Sequence, residues 1–436
     1  MKTFFKTTLL CTSLAMTLAA CTVKETEIRY IDAPKADGQQ NASSPQGQRT
    51  SIVANERMDS EELTAAGEQL IAVHSFHLAY KVFEKALEKD SENKKAQFYK
   101  IFLKRFMTLE GVLTRITPFV EKYGNNESHK KTQKELPKHP MRDFLIGKNK
   151  DLKPIKNLSE IQDVIADYRD AVNELRQFIA KNADMEIEIF LNPNIFMNQI
   201  NAKMTESCVV KTIERNSETI AEVECDSSEI AMVKMNMTDL MVIKQYAAAE
   251  VLYLTLYTSY SLDGVAEIMK RHENSPISTE QFLNELQAFP GALKLNKRQT
   301  LTQIRSLGSD FITAAKWAMK YQESLCPKNS TGQPLKRKGY IVPNICVGSA
   351  ETQENSLALF EQILAGPMQQ KTGDGQTVTV NFMAILDKPI QDLNSVAPAS
   401  FDAKGAPASW KDGSMGGLFP NGDFNEIQKR AQESAK

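Results

Sequence analysis

The chain is predicted to be mostly α-helical with one small β-hairpin, and three observations predict it. Long stretches repeat apolar residues at intervals of three and four, the period of one buried helix face. One run, Leu240 to Tyr257, is apolar nearly all round, as suits a helix at the centre of a core. A single pair of segments, 208–214 and 219–225, instead alternates apolar and polar residues on either side of a short turn. The 436 residues hold 53 Lys and Arg against 54 Asp and Glu with 42% apolar composition, enough to bury a sizeable core without metals or staples. Balanced charge argues against a nucleic-acid binder, which needs a basic surface to displace phosphate counterions.

The chain opens on Lys2 and Lys6, an apolar run from Thr7 to Leu18, and then Ala19-Ala20-Cys21. A basic start and an apolar run too short to span a bilayer read as a secretory signal peptide over 1–20. Leu18-Ala19-Ala20-Cys21 resembles the lipobox of bacterial lipoproteins. That resemblance implies cleavage before Cys21 and acylation of its thiol and amine. One acyl chain holds a membrane only marginally, whereas two or more anchor stably. Thr22 follows the cysteine, and by the sorting rule of enteric bacteria the absence of Asp there implies the outer membrane. No later run offers a span: Ala247 to Leu256 is interrupted by Glu250 and runs into Thr258 and Ser259. Removing residues 1–20 takes away Lys2 and Lys6 and shifts the net charge from −1 to −3.

Residues 21–58, from the anchor cysteine onward, are rich in Gln, Asn, Ser, Asp and Lys, and this polar stretch is expected to be a flexible tether reaching roughly 30 Å. Over 59–123 the pattern becomes helical. Gly67, Leu70, Ala79, Phe83, Ala86 and Ser91 resemble a tetratricopeptide repeat in their spacing. In a helix pair of that type Gly and Ala permit close approach, and Phe83 fills the gap toward the next repeat. Ala96, Phe98, Tyr99, Phe102 and Phe106 continue the periodicity, after which the repeat pattern fails and Thr117-Pro118 starts a new helix. One good repeat and one degenerate one do not make a free-standing solenoid, so the unit must pack against the helices C-terminal to it.

A polar linker rich in lysine occupies 124–157, either a solvated loop or a contact for an anionic lipid, cell-wall polymer or acidic partner. The larger helical domain, 158–395, begins with Ile161, Val164, Ile165, Tyr168, Val172, Leu175 and Phe178 on one helix face. Leu301 to Leu325 marks another long helix, and Leu357 to Ala365 one that stops at Gly366-Pro367. Gln376 to Phe382 alternates as a short strand, followed by a helix-like Ala384 to Leu393. The last segment, 396–436, is a tail containing Gly416-Gly417-Leu418-Phe419-Pro420. Its glycines allow unusual backbone angles, while Met415, Leu418 and Phe419 offer docking side chains. This core resembles the endings of exported bacterial lipoproteins that also begin with repeat-like helices, a resemblance that implies one architecture and no activity.

Besides the acylated Cys21, four cysteine thiols remain in the mature chain, an even number that suggests disulfides in an exported protein. A turn at Arg215-Asn216-Ser217-Glu218 places Cys208 opposite Cys225, Val210 opposite Val223, Lys211 opposite Glu222 and Ile213 opposite Ile220. Cys326 and Cys346 enclose a turn-rich segment, and three pairings of the four thiols are possible, with the sequential one favoured. No histidine stands at zinc-ligand spacing from any of them, and no metal or cofactor motif occurs.

Catalysis has little support in the residues. His74 and His77, three apart, lack a cysteine or carboxylate pair to complete a metal site. Glu186 and Glu188 are paired acids that could act on sugars, although surface alternation also explains them. The expected function is that of a lipid-anchored scaffold in the bacterial outer membrane, facing the periplasm or the exterior. It would bind an envelope protein, with His74, His77, Lys81 and Lys85 as the candidate contacts. The alternatives are a cell-wall or glycan-acting enzyme using paired carboxylates, or a carrier of a small apolar ligand.

Overall fold

Helices form where the apolar intervals place them, and side-chain caps fix where several begin. The computed structural model describes residues 49–55, 57–72, 75–124, 127, 130, 144–147, 152–183, 189–191, 208–215, 218–225, 233–235, 237–325, 350–372, 375–403, 405–422 and 424–434. A first strand, β1 (Arg49–Ala54), precedes α1 (Ser60–Ala72), α2 (Phe76–Lys89) and α3 (Lys94–Met107). Asp59 and Glu62 each accept the other's backbone N–H at the start of α1, at 2.9 and 3.0 Å. Asn93 caps α3 by accepting from the Ala96 N–H, and its own amide donates to Ser60 Oγ, tying α3 back to α1.

The close approach of α1 and α2 expected at Gly67 and Phe83 is present. A Cβ added to Gly67 would lie 2.5 Å from the Phe83 ring, so the helices meet at a distance only glycine allows. Phe83 is fully buried and stacks on Tyr99 of α3 with ring centroids 4.9 Å apart. The aromatic series then continues along α3, with Phe98 and Phe102 stacked at 5.9 Å.

After two short helices, α4 (Val112–Arg115) and α5 (Thr117–Tyr123), comes α6 (Leu158–Lys181), which packs on α3 where a further repeat would sit. Phe98 meets Phe178 at 6.4 Å, and Leu175 and Ile179 join the core of α1–α3. The repeat-like unit and the larger helical domain therefore share one hydrophobic core. In the linker, Leu145 and Ile155 are buried, with the Ile155 N–H donating to the Arg115 carbonyl at 2.7 Å.

Strands β2 (Ile189–Leu191) and β5 (Val233–Met235) pair with each other, and β3 (Cys208–Arg215) pairs with β4 (Glu218–Cys225). The hairpin has the expected register: Cys208 stands opposite Cys225, Val210 opposite Val223, Lys211 opposite Glu222 and Ile213 opposite Ile220. One expectation is corrected here. Residues 49–54 are not tether but a third strand, β1, antiparallel to β4 from Arg49↔Glu224 to Ala54↔Thr219. A two-stranded hairpin leaves an unpaired edge, and Thr50, Ile52 and Val53 are the β-branched residues that suit it. Ala54, at the end of that strand, is buried in the α1–α3 core.

Next come α7 (Met237–Ser259), α8 (Val265–Arg271), α9 (Thr279–Leu286), a 3-10 turn at Leu301–Gln303 and α10 (Ile304–Leu325). As its all-round apolarity predicts, α7 is central, packed between α6 and α10. Buried Arg169 of α6 helps lock this layer by donating to Thr258 Oγ1 at 2.7 Å and to the Arg298 carbonyl at 3.0 Å. Arg298 in turn pairs with Asp167 and Asp170 at 2.8 and 2.9 Å.

Helix α11 (Ala350–Ala365) packs on α10 and ends at Gly366, and a hairpin of β6 (Met368–Lys371) and β7 (Thr377–Val380) comes next. The helix expected from Ala384 to Leu393 is broken into α12 (Ala384–Asp387) and a 3-10 turn at Leu393–Val396. Pro389 lies between the two and cannot continue a helical hydrogen-bond ladder. The tail folds as β8 (Pro398–Phe401), β9 (Pro407–Trp410) and α13 (Phe424–Ser434). Its glycine loop closes on Asp412, whose carboxylate accepts the backbone N–H groups of Gly416 and Ser414 at 2.7 and 2.8 Å. Those bonds hold Asp412 below the usual carboxylate range, the Gly416 bond most strongly. Gly416 has φ +71°, and Phe419 stacks on Phe424 at 4.9 Å.

Candidate functional site

The predicted contacts divide between described and undescribed residues. Cys21, His74, Cys326, Cys346, Glu186 and Glu188 lie outside the described residues. His77, Lys81 and Lys85 recur every four residues along α2 and so share one helix face. His77 and Lys81 are exposed and Lys85 is half-buried. Although exposed overall, the His77 imidazole is held below its ordinary value by partial withdrawal from water, helped by Lys81 and opposed by Glu110. This face presents two lysines and an imidazole whose lowered pKa favours its neutral form.

A different surface carries the anchors. Along α7, Tyr246, Tyr253 and Tyr257 stand at i, i+7 and i+11, which aligns them in a line about 16 Å long. Tyr246 and Tyr257 are 45% and 37% exposed, and Leu256 beside them is 60% exposed. Tyr253 and Tyr257 have ring centroids 4.6 Å apart, with their hydroxyls 2.6 Å from each other. Apolar residues this exposed on the central helix of a layered core are unusual, since α7 already buries its other faces against α6 and α10. Sequence reasoning missed this ridge. The signal was available as three tyrosines on one line of a largely apolar helix.

Glu250 lies one turn from Tyr246 in the same line. Burial raises its carboxyl above the ordinary range, against the opposing pull of Arg105 and a hydrogen bond with Tyr168. Arg105, on α3, lies over the Phe102 and Phe106 rings at 4.4 and 4.7 Å.

No family model, no curated protein and no solved structure matches the chain. Among the described residues there is no group of three or more His, Cys, Asp or Glu that could hold a metal ion. Nor, among them, is any helix long and apolar enough to cross a membrane. An open cleft of about 500 Å³ lies at the start of α1, but Arg57, Asp59, Glu61, Lys89 and Asp90 make its wall strongly charged. Asp167 and Asp170, a carboxylate pair on α6, are engaged by Arg298.

Proposed function

We propose that this protein is a lipid-anchored scaffold of the bacterial cell envelope, tethered through acylated Cys21, that binds another protein through the tyrosine ridge of α7. The observation that carries the reading is the exposure of Tyr246, Leu256 and Tyr257 on a helix held rigid on its remaining faces. Tyrosine buries a large area on binding with few rotamers to freeze, and interface energy concentrates in a few such anchors. The polar face of α2, with His77, Lys81 and Lys85, then makes at most a separate polar contribution.

The test places a photoreactive side chain at position 256 in the native host, with position 316 on α10 as the comparison. A discrete adduct from 256 alone is expected, and Tyr257→Ala should weaken the captured partner by at least about thirtyfold, the effect of one hot spot. Because Tyr257 is partly exposed, its removal should leave the unfolding midpoint nearly unchanged. Equal labelling from both positions, or affinity indifferent to Tyr257→Ala, would contradict the ridge as the binding surface.

A further inference from the structure

A second site stands apart from the ridge, where α6, α7 and α10 meet. Arg176 of α6 and Lys244 of α7 are each 8% exposed, so two cations are more than nine-tenths buried at one helix junction. Leu175 and Ile179 of α6 share a hydrophobic cluster with Leu240 and Ile243 of α7, which sets Arg176 and Lys244 at one junction. Burial first and the Arg176 charge second push the Lys244 amine below its usual range. Among the described residues one carboxylate is paired with them: Asp310 of α10 accepts from Arg176 Nη1. Arg176 Nε donates to Asn173 Oδ1 at 2.9 Å, which leaves Nη2 without a partner among the described residues. Lys244 Nζ likewise has no hydrogen bond or ion pair among them, and it is not one of the partnerless atoms sealed from water. Among the described residues, two buried cations stand against one acid, which leaves one positive charge uncompensated there and two unspent donors on neighbouring helices.

Burying a charge without a partner is costly, and an arrangement that keeps both donors unspent is stabilised by an anion that reaches both. We propose that Arg176 and Lys244 form a binding site for a small oxyanion, a carboxylate or a phosphate group, with one oxygen on Arg176 Nη2 and another on Lys244 Nζ. Asp310 has two roles in such a site. It fixes the guanidinium plane through Nη1, and it limits affinity by competing for the same cation. The half-exposed position of its side chain places the mouth of the site on the α10 side. The site is independent of the tyrosine ridge and of the lipid anchor.

Calorimetric titration of the full chain in chloride buffer, with inorganic phosphate in one arm and acetate in the other, tests it. Saturation at one equivalent is expected in at least one arm, and the arm that saturates identifies the oxyanion class. Lys244→Met should lower that affinity by about tenfold or more, the loss of one charge-assisted hydrogen bond. Lys244→Arg should retain binding, and Asp310→Asn should strengthen it by removing the competing acid. Should Lys244→Met fail to fold, the Asp310→Asn and Lys244→Arg results decide. Saturation in neither arm, an affinity that Asp310→Asn and Lys244→Met leave unchanged, or loss of binding in Lys244→Arg would overturn the site.

Discussion

Truncating Phe83 to alanine is expected to destabilise the protein by about 3–5 kcal/mol, the usual loss for a fully buried aromatic ring. The side chain has no exposure, stacks on Tyr99 and fills the space left by Gly67. Gly67→Ala alone should also be destabilising, by about 1–3 kcal/mol, because its new methyl meets the Phe83 ring before any gain in helix propensity is realised. In the Phe83→Ala background the sign should reverse, since the obstacle is gone and alanine favours the helix by about 1 kcal/mol. Urea unfolding of the two single variants and the double variant measures this coupling. Additive effects would mean that Gly67 and Phe83 do not set the α1–α2 distance.

Arg105→Met is the second large effect, expected to approach about 3 kcal/mol because it removes one side of a buried charge interaction. The pH dependence originates in Glu250. Burial raises its folded-state pKa above the unfolded value, so its contribution is most favourable at low pH and is lost as pH rises through the carboxylate range toward the folded value. Arg105 is the positive charge that limits this rise, and without it the folded pKa moves higher still. The penalty for Arg105→Met should therefore be larger at high pH, where Glu250 is ionised, than at low pH, where it holds a proton. A penalty that does not change with pH would show that Arg105 acts through its contacts with Phe102 and Phe106 alone.

Much of the fold is legible in the sequence wherever two independent patterns agree. The hairpin register is set by matched apolar pairs and a Lys211–Glu222 pair at the same sum of positions, and the backbone pairs in that register. The Gly67–Phe83 approach is legible because only glycine tolerates it. Strand β1 is hidden because its few β-branched residues end a long polar stretch and its partner β4 lies about 170 residues away. The tail's strands are short and built from Pro, Ala and Ser, so no apolar alternation marks them. The functional surfaces are harder still to read. An all-round apolar helix conceals which face remains outside, so the tyrosine ridge needs the positions of α6 and α10. Arg176 and Lys244 belong to different helices, and nothing in their local sequence brings them together.

The central claim is that acyl chains at Cys21 hold this helical body at the envelope membrane. Intact-mass spectrometry of the protein extracted from native membranes tests it most directly. The expected species is a chain beginning at Cys21, lacking residues 1–20 and carrying the added mass of its acyl groups. A chain that retains residues 1–20 and bears a free, unmodified thiol at position 21 would contradict it.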